Sequence, residues 1–267
     1  MAGCPYLALK QGSPADIKAR PDITPEHPLT LYTSPLCPYA HRIHLALLEC
    51  NIAHTLIEID LENPRPEWYL ELNAEGKVPV MKVGDGECVL RESLLILEFL
   101  ADLVPGVGIL RGSAVERAQA RLFVDVFGKE VIAPYYTLFT HPSRAPQIAT
   151  QILTALKTKI SPLLAKHLST SSGIGIGPFF NAAMYPTYVE YALTPFILRL
   201  KVMEANNLIE GLVINSETAG HEFAGWCAVL MGREGVRKSF EVRRVVERMV
   251  KKLEEGRAKE AEEGVAR

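Results

Sequence analysis

The chain has little cysteine and no excess of either charge. Five cysteines, Cys4, Cys37, Cys50, Cys88 and Cys227, are scattered over 267 residues, too few to staple a chain of this length and without the close pairs of a zinc framework. Such usage points to a reducing, cytoplasmic compartment. Lysine and arginine total 29 against 31 acidic residues, a formal charge of -2, so nothing calls for a polyanion and no nucleic-acid partner is expected. Long apolar runs are missing as well. Residues 94–100 and 192–200 fall short of the about 20 residues that a lipid-spanning helix needs, so no membrane partner is expected. The first residues have neither the basic head nor the sustained apolar core of a signal peptide, and 1–28 reads as an N-terminal arm. There is no internal repeat, no HExxH and no Ser-His-Asp order for hydrolysis. His41 and His44 lie three apart with no third-ligand pattern, so no metal is expected. The glycines of 173–177 lack a strand-to-helix setting and read as a loop rather than a dinucleotide site.

What is present is a chain 48% hydrophobic and 22% charged, enough for one large core or two. Residues 29–103 alternate between strand-like and helical patterns. Residues 29–33 and 54–60 have β propensity around a helical 38–50, and strands from Val78 and from Cys88 flank a Gly84-Asp85-Gly86 turn before a helix from Ser93. A weaker helical signal covers 68–72. The expected order is βαβ followed by ββα. After a linker at 104–112 the strand signals fade, and helical spacing occupies 113–253 over 114–127, 151–167, 187–205, 218–231 and 236–253. Thr187 and Glu190 match a capping box behind Pro186. Residues 254–267 mix both charges with almost no large apolar side chain and read as a solvated, frayed tail. The fold class is therefore α/β plus all-α.

Cys37 is the cysteine that chemistry singles out. It follows the first strand and stands at the entrance of the first helix, where unpaired N–H groups and the helix dipole favour a thiolate, and Pro38 starts the helix without wasting a donor. Position 40 is alanine, so a local two-cysteine exchange is not available and any disulfide cycle uses an external thiol. The competing reading is a packed structural cysteine, the one that suits Cys50, Cys88 and Cys227.

The stretches LYTSPLCPYAHRIHLAL, NAEGKVPVM and LRESLLILEFLADL together resemble the thioredoxin-like half of a cytosolic glutathione transferase, in particular the omega class and its fungal relatives. GPFFNAAMYPTYVEYALTPFILRL resembles the same family's second-domain helix entrance, with Glu190 where the family usually has aspartate. The resemblance implies a thioredoxin-like N-terminal domain, an all-helical C-terminal domain, glutathione as cosubstrate and a homodimer. It implies Cys37 as the catalytic residue. Val78, before a cis Pro79, would pair with the cysteinyl part of glutathione, and Glu92 and Ser93 would receive its glutamyl end. Arg65 lies where omega relatives place a basic residue near the glycine carboxylate. Lys77 is either a carboxylate partner or a solvated side chain. An apolar acceptor wall is expected from Leu36, Tyr135, Tyr136, Phe223 and Trp226, with Trp226 resembling an omega acceptor-site aromatic, although each of these read singly is also a core residue.

Three functions follow. The first is glutathione-dependent thiol transfer or dehydroascorbate reduction through a mixed disulfide on Cys37. The second is conjugation of glutathione to a small electrophile, and the third is a noncatalytic interaction protein that keeps the fold. A cysteine in place of the tyrosine or serine of other classes favours the first, because it can itself form the disulfide.

Overall fold

The computed structural model describes residues 24–84, 88–168 and 177–265. Most of the expected N-terminal arm, the middle of the Gly84 turn and most of the 173–177 glycine run lie outside those residues. Strand β1 (Leu29–Thr33) forms first, and its alternation sends Leu29 and Leu31 to one face of the sheet and Tyr32 to the other. Helix α1 (Pro38–Glu49) carries Pro38 in its first turn and buries Ala40, Ile43, Ala46 and Leu47. The chain returns to strand β2 (Thr55–Glu58), parallel to β1. After the short helix α2 (Glu67–Leu72) and a cis Val78–Pro79 peptide come β3 (Val80–Val83) and β4 (Cys88–Leu90). β3 runs antiparallel to β1, pairing Tyr32 with Val80, and antiparallel to β4, pairing Val83 with Cys88. Helix α3 (Ser93–Leu103) completes the unit. The sheet order is β2-β1-β3-β4, the thioredoxin-like βαβ–ββα arrangement that the sequence leads one to expect.

The remainder is helical. Helix α4 (Ala114–Phe127) starts on a Ser113–Glu116 capping box and passes through a π-helical turn into α5 (Ala133–Thr140). Helices α6 (Ala145–Ala155) and α7 (Ser161–Leu168) are joined in the same way. Next come α8 (Tyr188–Ala205), α9 (Ser216–Ala219), α10 (His221–Met231), α11 (Glu234–Ser239) and α12 (Val242–Val265). The expected helix at 218–231 is interrupted at Gly220, whose φ of 92° and ψ of 151° break the spiral. A Cβ there would stand 2.4 Å from Ser161 Oγ, so only glycine fits.

The C-terminal segment differs from the expected frayed tail: α12 continues as helix to Val265. Its anchor is not apolar. Gly256 lies so close to α5 that a Cβ would come 2.1 Å from the Phe139 carbonyl oxygen. One turn on, Glu260 accepts from the Ser143 N–H at 3.0 Å and from its hydroxyl at 2.9 Å. A reading based on apolar periodicity sees neither device.

Two buried clusters place the site. The larger runs from one face of the sheet through α1 and α3 into the helical half, whose central helix α8 is buried along most of its length. The smaller fills the opposite face beneath α2 with Tyr32, Ala40, Ile59, Tyr69, Val78 and Val80, and Cys37 packs against it.

Candidate active site

Residues 34–37 make a tight turn in which the Cys37 N–H donates to the Ser34 carbonyl at 3.0 Å. Cys37 is the N-cap of α1: its backbone is extended (φ -92°, ψ 117°) and its carbonyl accepts the first helical bond, from the His41 N–H, at 3.0 Å. The half-buried thiol donates to the Val78 carbonyl at 3.5 Å. Opposing effects act on it. Burial pushes the Cys37 thiol up, while the backbone N–H groups of Ala40 and Tyr39 and the charges of Arg199 and Arg42 pull it down. Burial prevails, so the helix entrance alone does not make Cys37 an acidic thiol. None of the other described cysteines is bonded to it: Cys50 and Cys227 are buried, and Cys88 is exposed on β4.

Val78, expected to pair with the ligand, is the residue whose carbonyl meets that thiol. The β3 ladder begins at Val80, one residue past the cis Pro79, so Val78 precedes it. The loop is held from behind by the Tyr69 hydroxyl and Asn73 Nδ2, which both donate to the Lys77 carbonyl, at 2.6 and 2.9 Å. Glu92 caps α3 with φ at 65°, a conformation that costs a non-glycine residue about 1–3 kcal/mol and that clusters at ligand sites. The Ser93 hydroxyl is buried and accepts from Arg42 Nη1 at 3.0 Å, which leaves its own proton free to donate. Exposed Lys77 pairs with Glu75 at 2.6 Å, and Glu92 adds to the field that raises its pKa.

Arg65 is placed differently. Its guanidinium donates to four backbone carbonyls, those of Gly76 (3.1 Å), Asp60 (2.6 Å), Asn63 (2.5 Å) and Leu61 (3.4 Å). It staples the loop between β2 and β3, with one of its five N–H groups left over from these bonds.

The expected acceptor wall is only partly assembled. Leu36 and Tyr136 are half-buried near the thiol, and Tyr135 packs on Tyr136, Phe139 and Phe196 beneath them. Phe223 and Trp226 do not belong to it: both are fully buried in the helical half. Trp226 Nε1 donates to Glu190 Oε1 at 3.0 Å, because an indole N–H removed from water needs an acceptor. The sequence reading missed Tyr39, which stacks on Tyr136 (6.2 Å, 5° between planes) and meets the edge of Phe196 at 5.3 Å.

It also missed two buried arginines. Arg42 Nε donates to the Ala192 carbonyl of α8 at 2.7 Å, and its guanidinium lies over Tyr39 and Phe196. Arg199 donates to the Pro35 and Pro195 carbonyls, each at 3.0 Å. In sequence an arginine between apolar helix positions looks like a solvated one, so only a count of its partners separates the two.

The site so described has a half-buried thiol at a helix entrance, a cis-proline loop beside it and an α3 N-terminus carrying a buried hydroxyl. Among the described residues no group of three metal-binding side chains exists, and no helix is long and apolar enough to cross a membrane. Residues 36–103 match the family model of the glutathione S-transferase N-terminal domain. The chain is 26% identical to glutathione S-transferase omega-1 of Sus scrofa over 212 residues, 79% of this chain and 80% of that one. It is 30% identical to glutathione S-transferase omega-2 of Rattus norvegicus over 138 residues, which span 51% of this chain and 48% of that one, about half its length. Among solved structures, glutathione transferase Omega 1C of Trametes versicolor superposes with a TM-score of 0.68 at 27% identity, over 83% of this chain and 94% of that one.

Proposed function

We propose that this chain, whose residues 36–103 match the glutathione S-transferase N-terminal domain and which is similar to omega-class glutathione transferases over most of its length, is a glutathione-dependent thiol transferase working through Cys37. The observation that carries the reading is a single thiol at the α1 entrance, bonded to Val78 of the cis-proline loop, with alanine and not a resolving cysteine at position 40. Val78 would pair with the cysteinyl backbone of glutathione as an added strand does. The α3 N–H groups and the Ser93 hydroxyl would take the glutamyl carboxylate, and Glu92 its ammonium. Lys77 would meet a carboxylate by exchanging its Glu75 partner.

The Cys37 thiolate attacks the glutathionyl sulfur of a mixed disulfide. That S–S bond breaks, the substrate leaves as a thiolate that takes up a proton, and Cys37 now carries glutathione. A second glutathione thiolate attacks the glutathionyl sulfur, releasing oxidised glutathione and restoring Cys37. Reduction of dehydroascorbate would start differently: the Cys37 thiolate adds to a dehydroascorbate carbonyl, a glutathione thiolate attacks the Cys37 sulfur so that the C–S bond breaks and its electron pair leaves with ascorbate, and a second glutathione releases oxidised glutathione from Cys37. Wild type and C37S assayed with a glutathionyl mixed disulfide test the reading: C37S loses turnover, and an equal rate in C37S refutes it.

A second reading, conjugation to a small electrophile, is favoured by the aromatic cluster of Tyr39, Tyr136 and Phe196 and by the burial that pushes the Cys37 thiol up. A chloro-aromatic acceptor turned over as well by C37S as by wild type would select it. We also propose a cytoplasmic homodimer. Its support is the set of exposed apolar side chains Leu95 on α3 and Val115 and Leu122 on α4, and light scattering of the purified chain checks it.

A further inference from the structure

A guanidinium taken out of water without a counter-charge costs several kcal/mol. Arg199 is 1% exposed and Arg42 4%, and their bonds go to carbonyls, a hydroxyl and a histidine rather than to an acid. The most buried carboxylates among the described residues are committed elsewhere. Glu190 accepts from Phe180 N, Thr187 N, Thr187 Oγ1 and Trp226 Nε1, and Glu49 pairs with Arg233. The ionisable groups in the field of Arg199 are Tyr135, Tyr136 and Cys37. Burial pushes Tyr135 up to about 12 and Tyr136 higher still; burial raises the Cys37 thiol as well, with Arg199 among the charges that pull it back down, and of the three groups only Cys37 belongs to the turn whose Pro35 carbonyl Arg199 holds.

The guanidinium is also oriented from behind. Arg199 Nη1 lies 3.5 Å from His41 Nδ1. Because a guanidinium only donates, Nδ1 is the acceptor and the ring proton sits on Nε2. His41 Nε2 then donates to Ser239 Oγ at 2.8 Å, and that hydroxyl donates to the Val236 carbonyl at 3.3 Å. Phe240 stacks on the His41 ring, 5.6 Å away and 4° from parallel, and lies 5.4 Å from the Arg199 guanidinium. Burial and the Arg199 charge keep this histidine neutral. The chain thus has one direction, from Arg199 to His41 to Ser239, and crosses α8, α1 and α11.

We propose that Arg199 is a positioning residue for Cys37: oriented by the His41–Ser239 chain, it clamps the Pro35 carbonyl of the 34–37 turn and supplies the counter-charge of the thiolate. This rests on Cys37 being the reactive thiol. Helices of the second half thereby set the reactivity of a cysteine in the first. The other groups bearing on the thiol are Arg42 from α1, Lys252 from α12, and the phenols of Tyr69 on α2 and Tyr136 on α5. None of them bonds to the turn.

The test is the pH dependence of iodoacetamide alkylation at Cys37, read by peptide mapping in the full chain for wild type, R199K, R199M and S239A, with circular dichroism and a melting curve for each. R199M should move the midpoint up by about one pH unit, so that labelling at about pH 7 slows roughly tenfold. R199K keeps the charge and should recover most of that rate. S239A, which leaves the His41 ring proton without its acceptor, should slow labelling about threefold in the same direction. A folded R199M with the wild-type midpoint overturns the proposal. If R199M does not fold, S239A decides, and an unchanged S239A midpoint overturns it. Wild-type protein that is not labelled at Cys37 at any pH overturns the reactive-thiol reading beneath it, which the variant comparison alone does not touch.

Discussion

Glu190 offers the sharpest test of how the helical half is held. It is fully buried at the third position of α8 and accepts four bonds: from Phe180 N at 2.7 Å, Thr187 N at 2.8 Å, Thr187 Oγ1 at 2.6 Å and Trp226 Nε1 at 3.0 Å. Burial pushes its carboxyl up, and those bonds act in the opposite direction. In E190A the Thr187 hydroxyl can turn elsewhere, but the N–H groups of Phe180, Thr187 and Trp226 lose their acceptor inside the protein. At about 1–3 kcal/mol for each unsatisfied buried donor, and allowing for water entering the space left, the expected loss is about 4 kcal/mol. W226F removes one donor and leaves the carboxylate the other three, for about 1–2 kcal/mol. Because the two residues share one network, the E190A/W226F double variant should fall short of the sum of the singles by about 1 kcal/mol. Urea unfolding followed by circular dichroism gives all three values. An E190A protein within about 1 kcal/mol of wild type would refute this account of the α8 anchor.

Two more predictions concern burial. His41 is held well below its usual pKa inside the fold, whereas an unfolded histidine takes up a proton near 6.5. The unfolded chain therefore binds more protons below that pH, and stability should fall by about 1.4 kcal/mol per pH unit as pH drops from 6.5 toward the folded value. H41Q should show a shallower slope between about pH 7 and 5.5, and equal slopes would refute the assignment of His41 as buried and neutral. At Gly256, helix propensity alone makes G256A more stable by about 1 kcal/mol. The close approach to the Phe139 carbonyl makes it less stable by about 1–3 kcal/mol, and the sign from urea melts decides whether α12 docks as described.

Local chemistry made much of this protein legible. The α4 span, the start of α1 at Pro38, the Thr187–Glu190 capping box and the hairpin strands all follow from propensity and from residues close in sequence. The place of Cys37 at the α1 N-cap was legible because a helix entrance after a strand is itself a local pattern. What resisted reading depends on partners far along the chain. Trp226 and Phe223 have the character of a substrate wall until Glu190 and the surrounding core enclose them. Arg65 looks like a free surface cation until four backbone carbonyls from residues 60–76 are found on four of its five donors. Arg199 meets Pro35 across 164 positions, and the end of α12 is docked by a glycine and a glutamate that apolar periodicity passes over.

The central claim is that Cys37 carries glutathione during turnover. Intact-mass analysis of the full chain after exposure to oxidised glutathione, followed by peptide mapping, tests it directly. The account predicts one glutathionyl group on Cys37, absent from C37S and removed by added glutathione. An adduct confined to exposed Cys88, or none in a protein that still turns over a mixed disulfide, would contradict it.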